Sequence, residues 1–325
     1  MAINKTNRCK TKENKYFIRI TLSLHLMSNQ FLTSTTLILL LTTALSGCDE
    51  TSVQRGSNDS MTTIDSTQST MLNIAGKLFS VPSPIQTAIL IRDTKSPYRR
   101  DQLSDPKSLD QFSSKYLKAL NLGIYGTDMA YASLYEDGQS AVRSFKAVDE
   151  LANQLEVKGA INKDVLRKLS ENLEKPDSLI LLSSQFYQQA DEYLKNNSRA
   201  EVAAAVLAGG WLEATHLTIV AARGGNKEAR TRLAEQRDVI GTVCDVLQET
   251  ADETFTKDPI LGLFKDLNVE FRGVDYNYTY IAPNTDAAAN RTVINSTSTY
   301  SMTDSLFERI SGKTAFLRDK ITLAP

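Results

Sequence analysis

The chain has 325 residues, with 37 basic residues against 38 acidic ones, a net charge of −1 and three cysteines. That length admits one large domain or two small ones, and a core large enough to need no covalent staple. The balanced charge argues against nucleic acid as a partner, because neutralising phosphates needs clustered Lys and Arg.

The first element is a leader. Lys5, Arg8, Lys10, Lys12, Lys15 and Arg19 face one acid, Glu13, and precede an apolar run from Phe31 to Leu45. The run is about 15 residues, which suits a signal peptide and falls short of the roughly 20 of a spanning helix. It ends Leu45-Ser46-Gly47-Cys48. Small residues let the chain lie extended for cleavage, and the Cys48 thiol offers a nucleophile for a lipid. Removing residues 1–47 also removes Cys9. With Cys48 acylated, Cys244 is the remaining thiol, and no intramolecular disulfide can form. Cys244 sits in an apolar helical context and reads as a small buried hydrophobe.

Residues 48–72 are rich in Ser, Thr, Asp and Gln and read as a flexible tether. From there, residues 73–325 read as one helical domain. "SPIQ" at Ser83–Gln86 is a capping box with Pro84 at the first helical position. Leu117, Leu120, Ile124, Thr127, Tyr131 and Leu134 step by three and four, as do Ala141, Phe145, Val148, Ala152 and Leu155, with Asp137-Gly138 between them. Pro176 opens a further helix. Ser198–Glu201 forms a second capping box before a long Ala-rich run that Gly224-Gly225 ends. The next helix runs to about Thr254, and Asp258-Pro259 caps a shorter one. Then the period changes. "VDYNYTYIAP" alternates, placing Val274, Tyr276, Tyr278 and Tyr280 on one side, and "RTVINSTSTY" is β-branched, so a short hairpin can form near residues 274–300. A last helix spans about Thr303 to Ile321. The expected fold is all-α: a multi-helix, bundle-like domain carrying one short hairpin.

The Leu-small-small-Cys step resembles the lipobox of bacterial lipoproteins, in which the cysteine becomes the lipid-bearing first residue. "LNLGIYGTDMAYASLYEDGQSAVRSFKAVDELANQL", "FSVPSPIQTAILIRD" and "VINSTSTYSMTD" resemble an uncharacterised lipoprotein family of Bacteroidota-type bacteria. The resemblance implies export, a lipid anchor at the cell envelope, most naturally its outer membrane, and a helical body. It implies no reaction.

Candidate sites are few. Glu213 and His216 lie one turn apart, as in helix-bundle di-metal sites, but His25 belongs to the leader and a symmetric di-metal site needs a second histidine. A single histidine outside the leader also argues against Ser/His/Asp or Cys/His catalysis. No metal and no cofactor is expected. Gly209-Gly210-Trp211 inside a helix marks either a close helix crossing or a pocket walled by Trp211. Asp128, on an apolar face, is either a buried acid bonded to a tyrosine hydroxyl or a binding contact. Tyr276, Tyr278 and Tyr280 either pack on the bundle or stack on a sugar or peptide. The expected function is a non-catalytic, lipid-anchored binding or scaffolding module with an envelope protein or glycan as partner. One alternative is a surface accessory capturing glycan or peptide for an outer-membrane transporter. Another is a hydrolase using paired carboxylates.

Overall fold

A computed structural model describes residues 70–74, 77–81, 84–106, 109–157, 199–286, 291–293 and 295–323, with isolated positions between 159 and 192. The described residues open with strands β1 (Thr70–Ile74) and β2 (Lys77–Val81), followed by helices α1 (Pro84–Asp93), α2 (Lys115–Leu134) and α3 (Gly138–Gln154). Then come α4 (Ala200–Arg223), α5 (Lys227–Thr250), the single turn α6 (Glu253–Thr256) and α7 (Pro259–Phe271). Strands β3 (Asp275–Thr279), β4 (Asn284–Asp286), β5 (Arg291–Val293) and β6 (Thr297–Ser301) precede the last helix, α8 (Asp304–Thr322). The fold is all-α, decorated among the described residues by three antiparallel two-stranded ribbons: β1–β2, β3–β6 and, nested inside the latter, β4–β5. The helix expected after Pro176 and the leader with Cys48 lie largely or wholly outside the described residues.

The helices begin where short polar side chains can cap them. Ser114, Asp137, Asn226, Asp252 and Thr303 each accept a bond from the backbone N–H three residues on, and Asp258 accepts from Ile260 with Pro259 at the first position. Each such cap is worth about 1 kcal/mol. At α4 the local reading differs. The helix starts at Ala200, with Arg199 as its cap residue and no side-chain cap bond. The β1–β2 ribbon was not anticipated either. It takes in Thr70, Met71 and Leu72, so the span read as tether ends three residues earlier than its composition suggests.

Helices α2 and α4 form the centre. Residues from Ala119 to Leu134 of α2 are buried on every side, and so is most of α4. A helix apolar all round must be surrounded, and α2 packs against α1, α3, α4 and α8. The α4 helix is long and apolar enough to cross a membrane, yet here it is mostly buried inside the bundle. The two backbones touch where they cross. A Cβ on Gly123 would lie 2.0 Å from the Val206 carbonyl oxygen, and one on Gly209 would lie 1.9 Å from that of Leu120. Of the two readings of the Gly209-Gly210 pair, close crossing is the observed one. On the far side of α4, helices α5, α7 and α8 close the core with Val243, Leu247, Phe264, Phe271, Ile310 and Leu317. Cys244 lies in the same layer, and burial pushes its thiol up to about 12. It is the inert hydrophobe expected of it.

Two glycine substitutions should separate contact from propensity. Gly123→Ala is expected to cost about 3 kcal/mol or more in urea unfolding, because its obstacle is backbone rather than a side chain that can move. Gly241→Ala, where nothing lies within 4 Å, should stabilise by about 0.5–1 kcal/mol through helix propensity alone.

Candidate functional site

Three charged side chains from three helices meet inside the bundle. Asp128 of α2 and Glu213 of α4 have no exposed surface at all, and the side chain of Arg318 of α8 keeps 12% of its own. Arg318 grips Glu213 with two bonds, Nε to Oε2 at 2.5 Å and Nη2 to Oε1 at 2.9 Å. That is the fork geometry in which guanidinium and carboxylate pair most strongly. The same Nη2 donates to the Gln102 carbonyl at 3.0 Å and to Ser104 Oγ at 2.7 Å. The Ser104 amide donates in turn to Asp128 Oδ2 at 2.8 Å. Residues 102–104 belong to the connection between α1 and α2, so the three charges fasten that connection to the bundle.

Asp128 is therefore buried, as one reading of the sequence required, but its partners are a backbone amide and another acid rather than a tyrosine. The tyrosine one turn on, Tyr131, instead accepts from the Arg99 amide at 3.1 Å. Asp128 Oδ1 meets no donor among the described residues, while the Glu213 carboxyl lies within hydrogen-bonding reach. Burial, reinforced by the Glu213 charge, holds the Asp128 carboxyl well above the usual range. For Glu213, burial acts in the same direction, but the charge and bonds of Arg318 outweigh it and the carboxyl stays below its ordinary value. The cluster thus sets two buried acids against one cation, with Asp128 biased toward its neutral form and Glu213 toward its anion. A buried cation beside a single anion balances electrically, and that is what a dry interior demands.

The Glu-x-x-His pair is engaged otherwise. Glu213 is committed to Arg318, and no group of three His, Cys, Asp or Glu able to hold an ion occurs among the described residues. Burial lowers the proton affinity of His216, and its Nε2 has no partner among them. Trp211 is a core residue rather than a pocket wall. It is 3% exposed, donates from Nε1 to Gln236 at 2.9 Å and meets the Phe271 ring edge-on at 6.2 Å.

The tyrosine row lies elsewhere, on the β3–β6 ribbon. Val274 is buried, and the strand then leaves the bundle: Tyr276, Tyr278 and Tyr280 are 42%, 51% and 69% exposed. Of the two readings of this face, packing on the helices holds only at its foot, because every residue of β3 is exposed. Only the base of the ribbon is held. Tyr276 and Tyr300 are cross-strand partners with rings 5.1 Å apart. Arg237 of α5 sits 5.1 Å over the Tyr276 ring, and the Tyr300 hydroxyl donates to Asp238 at 2.8 Å. Burial, then the bond to Asp238, pushes that hydroxyl up to about 12. Further out, Tyr278 is paired across the ribbon with Ser298, and Ser296 bonds the Ile281 backbone. By strand alternation Tyr276, Tyr278, Tyr280, Ser296, Ser298 and Tyr300 share one face, whose own side chains are uncharged and whose foot meets the paired charges of Arg237 and Asp238.

Against known proteins the chain stands apart: no protein-family model, no curated protein and no solved structure matches it.

Removing the cation should be severe. Arg318→Met leaves Glu213 ionised in a dry core and is expected to cost about 3–5 kcal/mol of unfolding free energy. The acid limb follows from the sign of the Glu213 shift. Its carboxyl is held below the ordinary 4.5, so its contribution is complete above that value. It disappears as pH falls through the lower folded-state value. Urea midpoints measured between about pH 2 and 6 should fall on that limb in the wild type, and the fall should be smaller in Glu213→Gln.

Proposed function

We propose that the chain is a lipid-anchored, non-catalytic recognition module of the cell envelope, held by a diacylglyceryl group on Cys48, that binds a neutral glycan on its β3–β6 ribbon. The anchor rests on the sequence: a basic leader, a short apolar run and the Leu45-Ser46-Gly47-Cys48 step. The non-catalytic reading rests there too, on the scarcity of histidine and the lack of a recognisable nucleophile arrangement.

The single observation that carries the binding proposal is the solvated tyrosine row. Exposing three aromatic rings side by side forgoes the burial that normally stabilises them, about 25 cal/mol for each Å² left wet. Such a row makes sense as a contact surface. Its chemistry favours a sugar. Tyr rings offer flat apolar faces for the C–H side of a pyranose, and the Tyr, Ser and Thr hydroxyls at their rims can exchange bonds with sugar hydroxyls. Tyr and Ser also form contact surfaces at low conformational cost. Single-stranded nucleic acid would want the same rings beside a positive groove, whereas the cation against these rings, Arg237, is paired with Asp238 and the strand side chains of this face are uncharged.

Calorimetry of the purified chain against a panel of neutral oligosaccharides tests the surface. The double variant Tyr278→Ala with Tyr280→Ala should bind about tenfold more weakly, at roughly 0.5–1.5 kcal/mol per ring, with unchanged unfolding, because both rings are largely solvated. Equal affinities in the two proteins, or no binding across the panel, would remove the glycan reading. For the anchor, Cys48→Ser should move the protein from membrane to soluble fractions and remove the acyl mass from intact-protein spectra. An unmodified amino terminus in native material would end that part of the proposal.

A further inference from the structure

The buried acids do more than balance charge, and the connection that covers them is the place to look. Asp128 and Glu213 are both fully buried and within bonding reach of each other. Two carboxylates cannot bond without a proton between them, because each then offers only acceptors. Asp128 Oδ1 has no donor to answer it among the described residues. One proton would satisfy that contact and leave a single negative charge facing Arg318.

We propose that one proton shared between Asp128 and Glu213 is a structural component of the closed fold at neutral pH, and that its loss releases residues 102–106 from the helix bundle.

The geometry says why this segment is the part that moves. Beyond local bonds from the Gln102 and Leu103 amides to the Arg99 and Arg100 carbonyls, its hydrogen bonds run to the cluster: the Ser104 amide donates to Asp128, and the Gln102 carbonyl and Ser104 hydroxyl accept from Arg318. The preceding residues are held separately, by Tyr98 to Asp137 at 2.8 Å and by Tyr135 to the Ser96 carbonyl at 2.7 Å. A second anion beside Glu213 would stand in dry surroundings with one guanidinium for two charges. Admitting water relieves it, and water enters by lifting the segment that covers Asp128. The titratable and charged groups around the pair are Tyr125 and Tyr131 from α2, Asp105 from the covering segment, His216 from α4, and Arg318 and Asp319 from α8. His216, whose proton affinity burial lowers, supplies no compensating charge as pH rises.

The sign follows from the raised Asp128 value. Closure is favoured fully below the ordinary 3.8 of an open carboxyl and weakens as pH climbs toward the raised closed-state value. Across that interval the closed form holds one proton that the open form lacks. The opening equilibrium therefore rises by up to tenfold per pH unit.

Hydrogen exchange of the full-length chain, read at the Ser104 amide and corrected for the intrinsic pH dependence of exchange, tests this directly. The wild-type protection factor should fall with rising pH by up to tenfold per unit. It should be flat in Asp128→Asn, which carries the neutral shape without a proton to lose. Infrared difference spectra at neutral pH should show a protonated carboxyl stretch that Asp128→Asn removes. Protection that is independent of pH in the wild type, or that falls equally in Asp128→Asn, overturns the proposal. So does a neutral-pH spectrum without the protonated carboxyl band.

Discussion

The contact between the α2 and α4 backbones governs the rest of the architecture. Gly123 and Gly209 let the two central helices approach until peptide groups touch. Asp128 lies five residues beyond the first glycine and Glu213 four beyond the second. Helices this close carry their next-turn side chains into contact, so two acids that are distant in sequence meet in the core. That juxtaposition creates a need for a cation, which α8 meets with Arg318, and for a roof, which residues 102–104 provide. Thr127 seals the crossing by bonding both the Gly123 and Gly210 carbonyls. Remove the close approach and neither the acid pair nor the docking of the α1–α2 connection has a basis.

Local physics made much of the fold legible in the sequence. Apolar residues at steps of three and four marked α2 and α3, and Asp137-Gly138 marked the turn between them. The internal glycine pair, whose members each cost about 1 kcal/mol in an unsupported helix, pointed to either a close crossing or a pocket, and only the packing decided between them. Long-range pairing was not legible. Arg318 stands 105 residues from Glu213, and nothing in either neighbourhood names the other. A signal did exist. In α8 the residues Ser311, Thr314 and Arg318 occupy the inward face with Leu317 and Ile321. A basic residue on the buried side of an amphipathic helix requires an acid opposite it.

The ribbon shows a different limit. Alternation in "VDYNYTY" identified a strand and grouped its tyrosines on one side. A period of two says which residues share a face and is silent on what that face meets. Here only Val274 reaches the core, and the strand departs from it at once. What holds the ribbon is a pair of contacts at its foot, Arg237 on Tyr276 and Tyr300 on Asp238, both supplied by adjacent residues of α5. An isolated two-stranded ribbon is marginal in water, so this foothold on a rigid helix gives the outer tyrosines a defined position. Trp211 shows the converse. An aromatic beside two glycines suggested a ligand wall, but the glycines serve the helix crossing and the indole fills the layer behind it.

One last consequence concerns the nascent chain, before any of these contacts exist. The α4 segment has the length and oiliness of a membrane span, and any lipid boundary the unfolded polypeptide meets will test it as one. Glu213 lies near its middle. An ionised side chain at the centre of an inserting helix costs about 2.5–3.5 kcal/mol, enough to tip a borderline segment back toward water. The carboxylate that Arg318 clasps in the finished protein would thus, at an earlier moment, mark α4 for the interior of a globule instead of the interior of a bilayer.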